Sequence, residues 1–185
     1  MKILDAINSN NLANVEKLYY KAFPKDELKP FELILQKQKE GSVEILAIEN
    51  NETFVGLAIT AHYKNLVLLD YFAIEYDFRN RKFGTTAFNL IKTRYRDKKF
   101  FLEIENPENL ECNNKLERLR RRNFYLKNGV IELPYFVDLL GVEVKILANT
   151  AILTYEEYLS VYSNVFGREI SDKINLNKRS NILHK

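Results

Sequence analysis

Cysteine is nearly missing from this chain of 185 residues. Cys112 stands alone, so no internal disulfide can form, and with no histidine close by nothing local would stabilise its thiolate as a nucleophile. Histidine is scarce as well, with two in the chain; no metal-ligand set stands out and no metal is expected. Long apolar runs are also lacking, since no stretch reaches the roughly 20 residues that cross a bilayer. The first residues, with Lys2 and Asp5 flanking Ile3 and Leu4, have no apolar core of a secretory signal. A cytoplasmic location without a membrane partner is therefore expected. No internal repeat is present. What remains is the composition of a soluble globular protein, 46% hydrophobic and 29% charged, with length for one domain and a core of its own.

The net charge of +3 conceals a strong asymmetry. Residues 76–99 hold eight Lys/Arg against two Asp, and residues 115–127 hold six against one Glu, so the rest of the chain is acidic. Such a distribution suits the steering of a polyanionic ligand. The alternatives for Arg118, Arg120, Arg121 and Arg122 are the solvated face of a helix or a nucleic-acid patch.

The most informative stretch runs from Leu66 to Tyr95. Leu66 to Ile74 is too apolar for a strand with one wet face, so it is expected in a sheet covered on both sides. Arg79-Asn80-Arg81-Lys82-Phe83-Gly84-Thr85-Thr86 follows, after which Ala87, Leu90, Ile91 and Tyr95 recur at helical spacing. A helix thus starts inside a basic turn. Its first amides lack intrahelical acceptors and lie at the positive dipole end, which together with the cationic side chains makes a phosphate cradle.

Here the sequence resembles the GCN5-related N-acetyltransferase (GNAT) superfamily, whose acetyl-CoA motif reads Gln/Arg-x-x-Gly-x-Gly/Ala. Arg79 and Gly84 fill the outer positions, while Lys82 stands where the family has its first glycine. Its backbone N–H stays available to a pyrophosphate, although the side chain restricts the loop. Phe124-Tyr125 ahead of Gly129-Val130 resembles the closing motif of the superfamily, with Val130 in place of its phenylalanine, and Phe100 to Pro107 resembles the fifth strand of a branch that carries an acidic pair. The resemblance covers residues 1–150 as an acyl-CoA N-acyltransferase domain. It implies transfer of an acetyl group from acetyl-CoA, the co-substrate, to a primary amine of a small molecule or peptide, by direct attack through a tetrahedral intermediate.

Along the chain, Asn8 to Asn11 is a turn or helix start, and Leu12, Val15, Leu18, Tyr19 and Ala22 mark a first helix. A second begins at Phe31 and ends near Gly41. Strands are expected at Val43 to Glu49 and Thr53 to Lys64 around an Asn50-Asn51-Glu52 hairpin turn, then the apolar strand, the basic-turn helix and a strand at Phe100 to Glu105. A helix from Lys115 to Asn128 and strands at Val130 to Asp138 and Val142 to Asn149 complete the order β-α-α-β-β-β-α-β-α-β-β. That alternation predicts an α/β (α+β) fold, a mixed, mostly antiparallel twisted sheet with helices on both faces, and the superfamily has the same order. Thr154-Tyr155-Glu156-Glu157 is a capping box that opens an added C-terminal helix over residues 151–167. That helix is expected to pack on the domain's own sheet, the alternatives being a roof over the acceptor site or a homodimer contact. Residues 168–185, poor in apolar side chains, read as a flexible tail.

The chemistry can be assigned to candidates. By resemblance, Tyr125 is the acid that protonates the departing thiolate, and Phe72, Ala73 and Ile74 supply backbone N–H groups for the oxyanion and a strand edge for the pantetheine amides. Arg79, Arg81, Lys82, Phe83, Gly84, Thr85 and Thr86 are the pyrophosphate residues. Glu103 and Glu105 share a strand face, where one pKa can rise, which makes either a candidate base with Glu105 slightly preferred. Asp70, Glu75 and Glu27 are rivals, and His62 is read as structural. Substrate choice is expected in the loop from Phe23 to Phe31 and near Tyr135. Two further classes stay open: an acyl-CoA-binding module without catalysis, and a nucleic-acid-binding protein. The second lacks a stacking platform or recognition motif, so no nucleic-acid partner is expected.

Overall fold

The computed structural model describes residues 1–109 and 112–177. The described residues form two compact units, divided between Phe100 and Phe101. The described elements are β1 (Lys2–Asp5), α1 (Leu12–Ala22), α2 (Phe31–Lys39), β2 (Val43–Asn50), β3 (Thr53–Tyr63), β4 (Leu66–Ile74), α3 (Phe83–Arg94), β5 (Lys99–Glu105), α4 (Lys115–Lys127), β6 (Ile131–Leu139), β7 (Val142–Ala148), α5 (Tyr155–Val161), α6 (Arg168–Ser171) and β8 (Ile174–Asn177). The expected element order is found in full and extended by α6 and β8.

In the first unit the strands lie in the order β1-β2-β3-β4, each antiparallel to its neighbour. Asn51 and Glu52 both take left-handed φ values, 49° and 61°, as the tight β2–β3 hairpin requires. β4 is covered on both faces, as its composition predicts. Neighbouring strand residues point to opposite faces: the Tyr71 ring meets Tyr19 of α1 at 4.8 Å, while the next ring, Phe72, meets Phe88 of α3 at 6.0 Å. Ala87, Phe88, Ile91 and Tyr95 bury the inner face of α3, whereas Leu90, expected in that stripe, is 37% exposed. At the end of β3, Gly56 opposes Ile74, and a Cβ there would lie 2.5 Å from the Ala73 carbonyl oxygen. Only glycine lets β4 approach so closely at this point.

In the second unit the order is β5-β7-β6-β8, again antiparallel throughout. The Thr154 capping box is formed in both directions, at 3.2 and 3.1 Å, and α5 runs on through a π-helical turn, Tyr162–Phe166, to Gly167 at φ 97°. Beyond it the structure corrects the expectation of a flexible tail from residue 168. Arg168–Ser171 is a helical turn, and Ile174–Asn177 adds a strand to the edge of β6 with Ile174 buried. Three apolar residues, Ile170, Ile174 and Leu176, give too weak a period to announce a strand whose hydrogen bonds come from a distant partner. The remainder of that expected tail, 178–185, lies outside the described residues.

Candidate functional site

The basic turn is built on an apolar footing. After β4 a 3-10 turn, Tyr76–Phe78, leads to Arg79, whose Nε donates back to the Ile74 carbonyl at 3.0 Å and closes the turn on the strand. Phe78 and Phe83 meet edge to face at 5.5 Å and pack on Ile48, Val55, Ile74 and Ala87, which fixes both arms. Between those arms Asn80 (φ 61°) and Lys82 (φ 63°) are left-handed. Lys82 thus takes, at a cost of roughly 1–2 kcal/mol for a residue with a Cβ, the conformation glycine adopts freely. That conformation makes it the N-cap of α3.

The first α3 amide with an intrahelical acceptor is that of Thr86, bonded to the Lys82 carbonyl at 3.0 Å. Among the described residues no acceptor takes the N–H groups of Phe83, Gly84 and Thr85, and no acidic side chain pairs with Arg81 or Lys82. A recess of about 250 Å³ opens beside them, lined by Met1, Asn50, Arg81, Phe83 and Thr86. Three open donors at a positive dipole end, flanked by two cations, fit a pyrophosphate. Phe72, Ala73 and Ile74 pair with Ala58, Leu57 and Gly56 of β3, an arrangement in which alternate N–H groups point away from that strand.

Upstream in β4 lies a feature that the apolar pattern hides. Ile59 opposes Tyr71 but Thr60 opposes Leu69, so Asp70 is an extra, bulged residue. Its side chain is only 4% exposed and receives the Lys29 ammonium on both oxygens, at 2.8 and 2.9 Å. Of the other rivals for the base, the Glu75 carboxylate takes Lys21 at 3.0 Å, while Glu27 accepts the Tyr71 hydroxyl at 2.8 Å through its backbone carbonyl. His62 bonds Thr60 at 2.8 Å, inside a network that continues through Tyr95 to Glu44. Burial lowers its pKa, in keeping with a structural role.

In the second unit the two candidate carboxylates part company. Glu105 is held by Arg118 at 2.5 Å and Arg121 at 3.3 Å. Glu103 instead accepts the hydroxyls of Tyr158 (2.5 Å) and Tyr162 (2.9 and 3.0 Å), two buried phenols from α5 and the π-helical turn. Nothing in the pattern of residues points to these partners beyond an aromatic stripe. Tyr125 lies on the last turn of α4 and is buried, and burial pushes its phenol up to about 12 against the opposing charge of Arg121. It therefore stays protonated at neutral pH. Three of the α4 arginines have carboxylate partners: besides the two on Glu105, Arg122 forms a fork with Glu132 at 2.5 and 2.9 Å, and Arg118 also bonds Asn114 and the Asn106 carbonyl, while Arg120 is exposed.

No family model matches the sequence, nor does any curated protein. Solved structures do match. A protein from Bacteroides thetaiotaomicron described as a GNAT-family acetyltransferase superposes with a TM-score of 0.74 at 15% identity, over 91% of this chain and 99% of the other. The ribosomal-protein-S18-alanine N-acetyltransferase of Escherichia coli gives 0.58 at 15% identity over 84% and 96%. An aminoglycoside 6'-N-acetyltransferase in complex with coenzyme A gives 0.55 at 13% over 83% and 99%. The fold of this chain is the GNAT fold.

Proposed function

We propose that this protein is an acyl-CoA-dependent N-acyltransferase that moves an acetyl group from acetyl-CoA to a primary amine. The observation that carries this reading is the open N-terminus of α3, where the amides of Phe83, Gly84 and Thr85 follow Arg81 and Lys82 at the end of the basic turn after β4. The fold shared with N-acetyltransferases, one of them solved with coenzyme A, supports it. Acetyl-CoA supplies an activated acyl group on a thiol leaving group. In this chain Arg81, Lys82 and the amides of Phe83, Gly84 and Thr85 hold the pyrophosphate, and the strand edge at Phe72 to Ile74, where alternate N–H groups point away from β3, takes the pantetheine and the carbonyl oxygen.

Tyr125 is the proton donor by its place in the closing motif; buried, its phenol is protonated at neutral pH and gives up its proton only to a developing thiolate. For the proton released by the amine, Glu103 is the better acceptor. Two phenols orient it, whereas two arginines occupy Glu105. The protein is expected to act in the cytoplasm.

The test has two steps. Acetyl-CoA at millimolar concentration should raise Tm, as mass action requires of a ligand of the folded state. Thiol release across a panel of primary amines should then drop about 100-fold in Tyr125→Phe. No Tm shift removes the cofactor reading, and a shift without thiol release leaves an acyl-CoA-binding module.

A further inference from the structure

The pair formed by Lys29 and Asp70 is out of place as a stabilising device. A desolvated ion pair adds little net stability compared with apolar side chains of the same volume. Yet this one interrupts the most apolar strand of the chain, by means of a bulge that turns the Asp70 carboxylate toward the α1–α2 connection. The surroundings are those of a cation site. The Lys29 ammonium lies 5.1 Å from the centroid of the Tyr71 ring, which Tyr19 and Phe23 buttress edge-on at 4.8 and 5.0 Å.

The lysine backbone is held without help from its ammonium. Tyr19 donates to the Lys29 carbonyl at 2.8 Å, and the Lys29 N–H donates to the Tyr71 hydroxyl at 3.1 Å, which itself donates to the Glu27 carbonyl. The connection is thus fixed by phenols, while the charged end of Lys29, on a side chain 17% exposed, can swing out by rotating its own methylenes.

We propose that Asp70 and Tyr71 form a primary-ammonium site, that Lys29 occupies it as an internal stand-in, and that an amine acceptor docks by displacing the Lys29 ammonium. The last step rests on the acyltransferase reading. A cofactor gripped at Lys82 to Thr86, beyond the end of β4, and running back along Phe72 to Ile74 carries its reactive end toward Asp70, two residues or about 7 Å further along the strand. The site favours a slender alkylammonium with three N–H donors, as Lys29 itself presents, over a quaternary cation.

Lys29→Ala removes the equivalent of n-propylammonium, so this variant should melt lower than the wild type. It should be restored selectively by n-propylammonium chloride, and not by tetramethylammonium chloride at equal ionic strength or by n-propanol. Lys29→Met keeps the volume of the side chain without its charge, and folding of this variant does not depend on filling a cavity. With acetyl-CoA it should lower KM for n-propylamine roughly tenfold, the gain expected if the stand-in fills the site nine-tenths of the time. Adding Asp70→Asn to Lys29→Met should cancel that gain. Rescue by all three additives or by none, or an unchanged KM in Lys29→Met, overturns the proposal. A wild type with no acetyl-CoA response instead overturns the acyltransferase reading, and the selective rescue still decides whether the recess binds ammonium.

Discussion

Helix α4 and the turn from Arg79 to Lys82 are the two most basic stretches of the molecule, yet they spend their charge in opposite ways. In α4, Arg118, Arg121 and Arg122 are tied to Glu105 and Glu132, and Arg118 reaches a side-chain oxygen of Asn114 and the Asn106 carbonyl as well. At the turn, Arg79 closes the backbone, while Arg81 and Lys82 stand beside open amides. A count of cations cannot separate these cases. What separates them is whether carboxylates from neighbouring strands come within reach, and that is settled by register and helix phase. In α4, then, Arg118, Arg121 and Arg122 serve ion pairs within the fold, whereas the cations of the turn do not.

The comparison can be broken at its strongest point by Arg118→Ala. Arg118 and Glu105 are 13% and 15% exposed, so removing the guanidinium leaves the Glu105 carboxylate to the longer contact of the half-exposed Arg121 and takes a donor from the Asn106 carbonyl in a poorly hydrated place. A loss of about 3 kcal/mol is expected in urea unfolding. Arg81→Ala is the matching experiment on the turn. It should change stability by no more than about 0.5 kcal/mol but weaken acetyl-CoA roughly tenfold, the equivalent of one charge-assisted hydrogen bond. If Arg118→Ala were harmless to folding and Arg81→Ala costly, the assignment of structure to one stretch and binding to the other would be reversed.

A smaller effect sharpens the same contrast at Lys82. Lys82→Gly relieves a left-handed residue of roughly 1–2 kcal/mol and gives back about 0.5–1 kcal/mol through the freer unfolded chain. A net stabilisation of up to about 1.5 kcal/mol is expected from the urea midpoint. Weaker acetyl-CoA binding in that more stable variant would show that the ammonium, and not only the backbone, serves the ligand.

Much of the fold was legible because its signals are local. The Asn50-Asn51-Glu52 hairpin, the Thr154 capping box and the helix starting after Lys82 each depend on a few adjacent residues, and each is found where expected. The turn residues of the candidate site were legible for the same reason. Partnerships across the chain were not. Glu103 and Glu105 look equivalent in sequence, and only the arrival of Tyr158 and Tyr162 on one and of Arg118 and Arg121 on the other distinguishes them. Asp70 had a faint signal as the one charge in an apolar run, but the bulge that aims it is invisible to a pattern of period two. Leu90 fits the helical stripe of α3, but Phe88 fills the core beside it.

The least effect concerns the other half of the first basic stretch, residues 92–99, which behaves like α4 and not like the turn. Arg94 pairs with Glu44 at 2.9 Å, Lys98 caps the Lys64 carbonyl, and His62 is half-buried near them. Burial is the main cause of its lowered pKa; Arg94 and Lys98 add to the shift and Glu44 opposes it. The unfolded chain therefore takes up a proton on His62 at a higher pH than the folded one does. Stability is complete above the unfolded value of about 6.5 and is lost as the pH falls from there toward the depressed folded value. Tm should accordingly drop between about pH 7.5 and 5.5, above the range in which ordinary carboxylates titrate, and His62→Gln should remove that part of the slope. An identical slope in the variant would mean that the His62 network carries no net burial cost, and that residues 92–99 are looser than their hydrogen bonds to Glu44 and Lys64 imply.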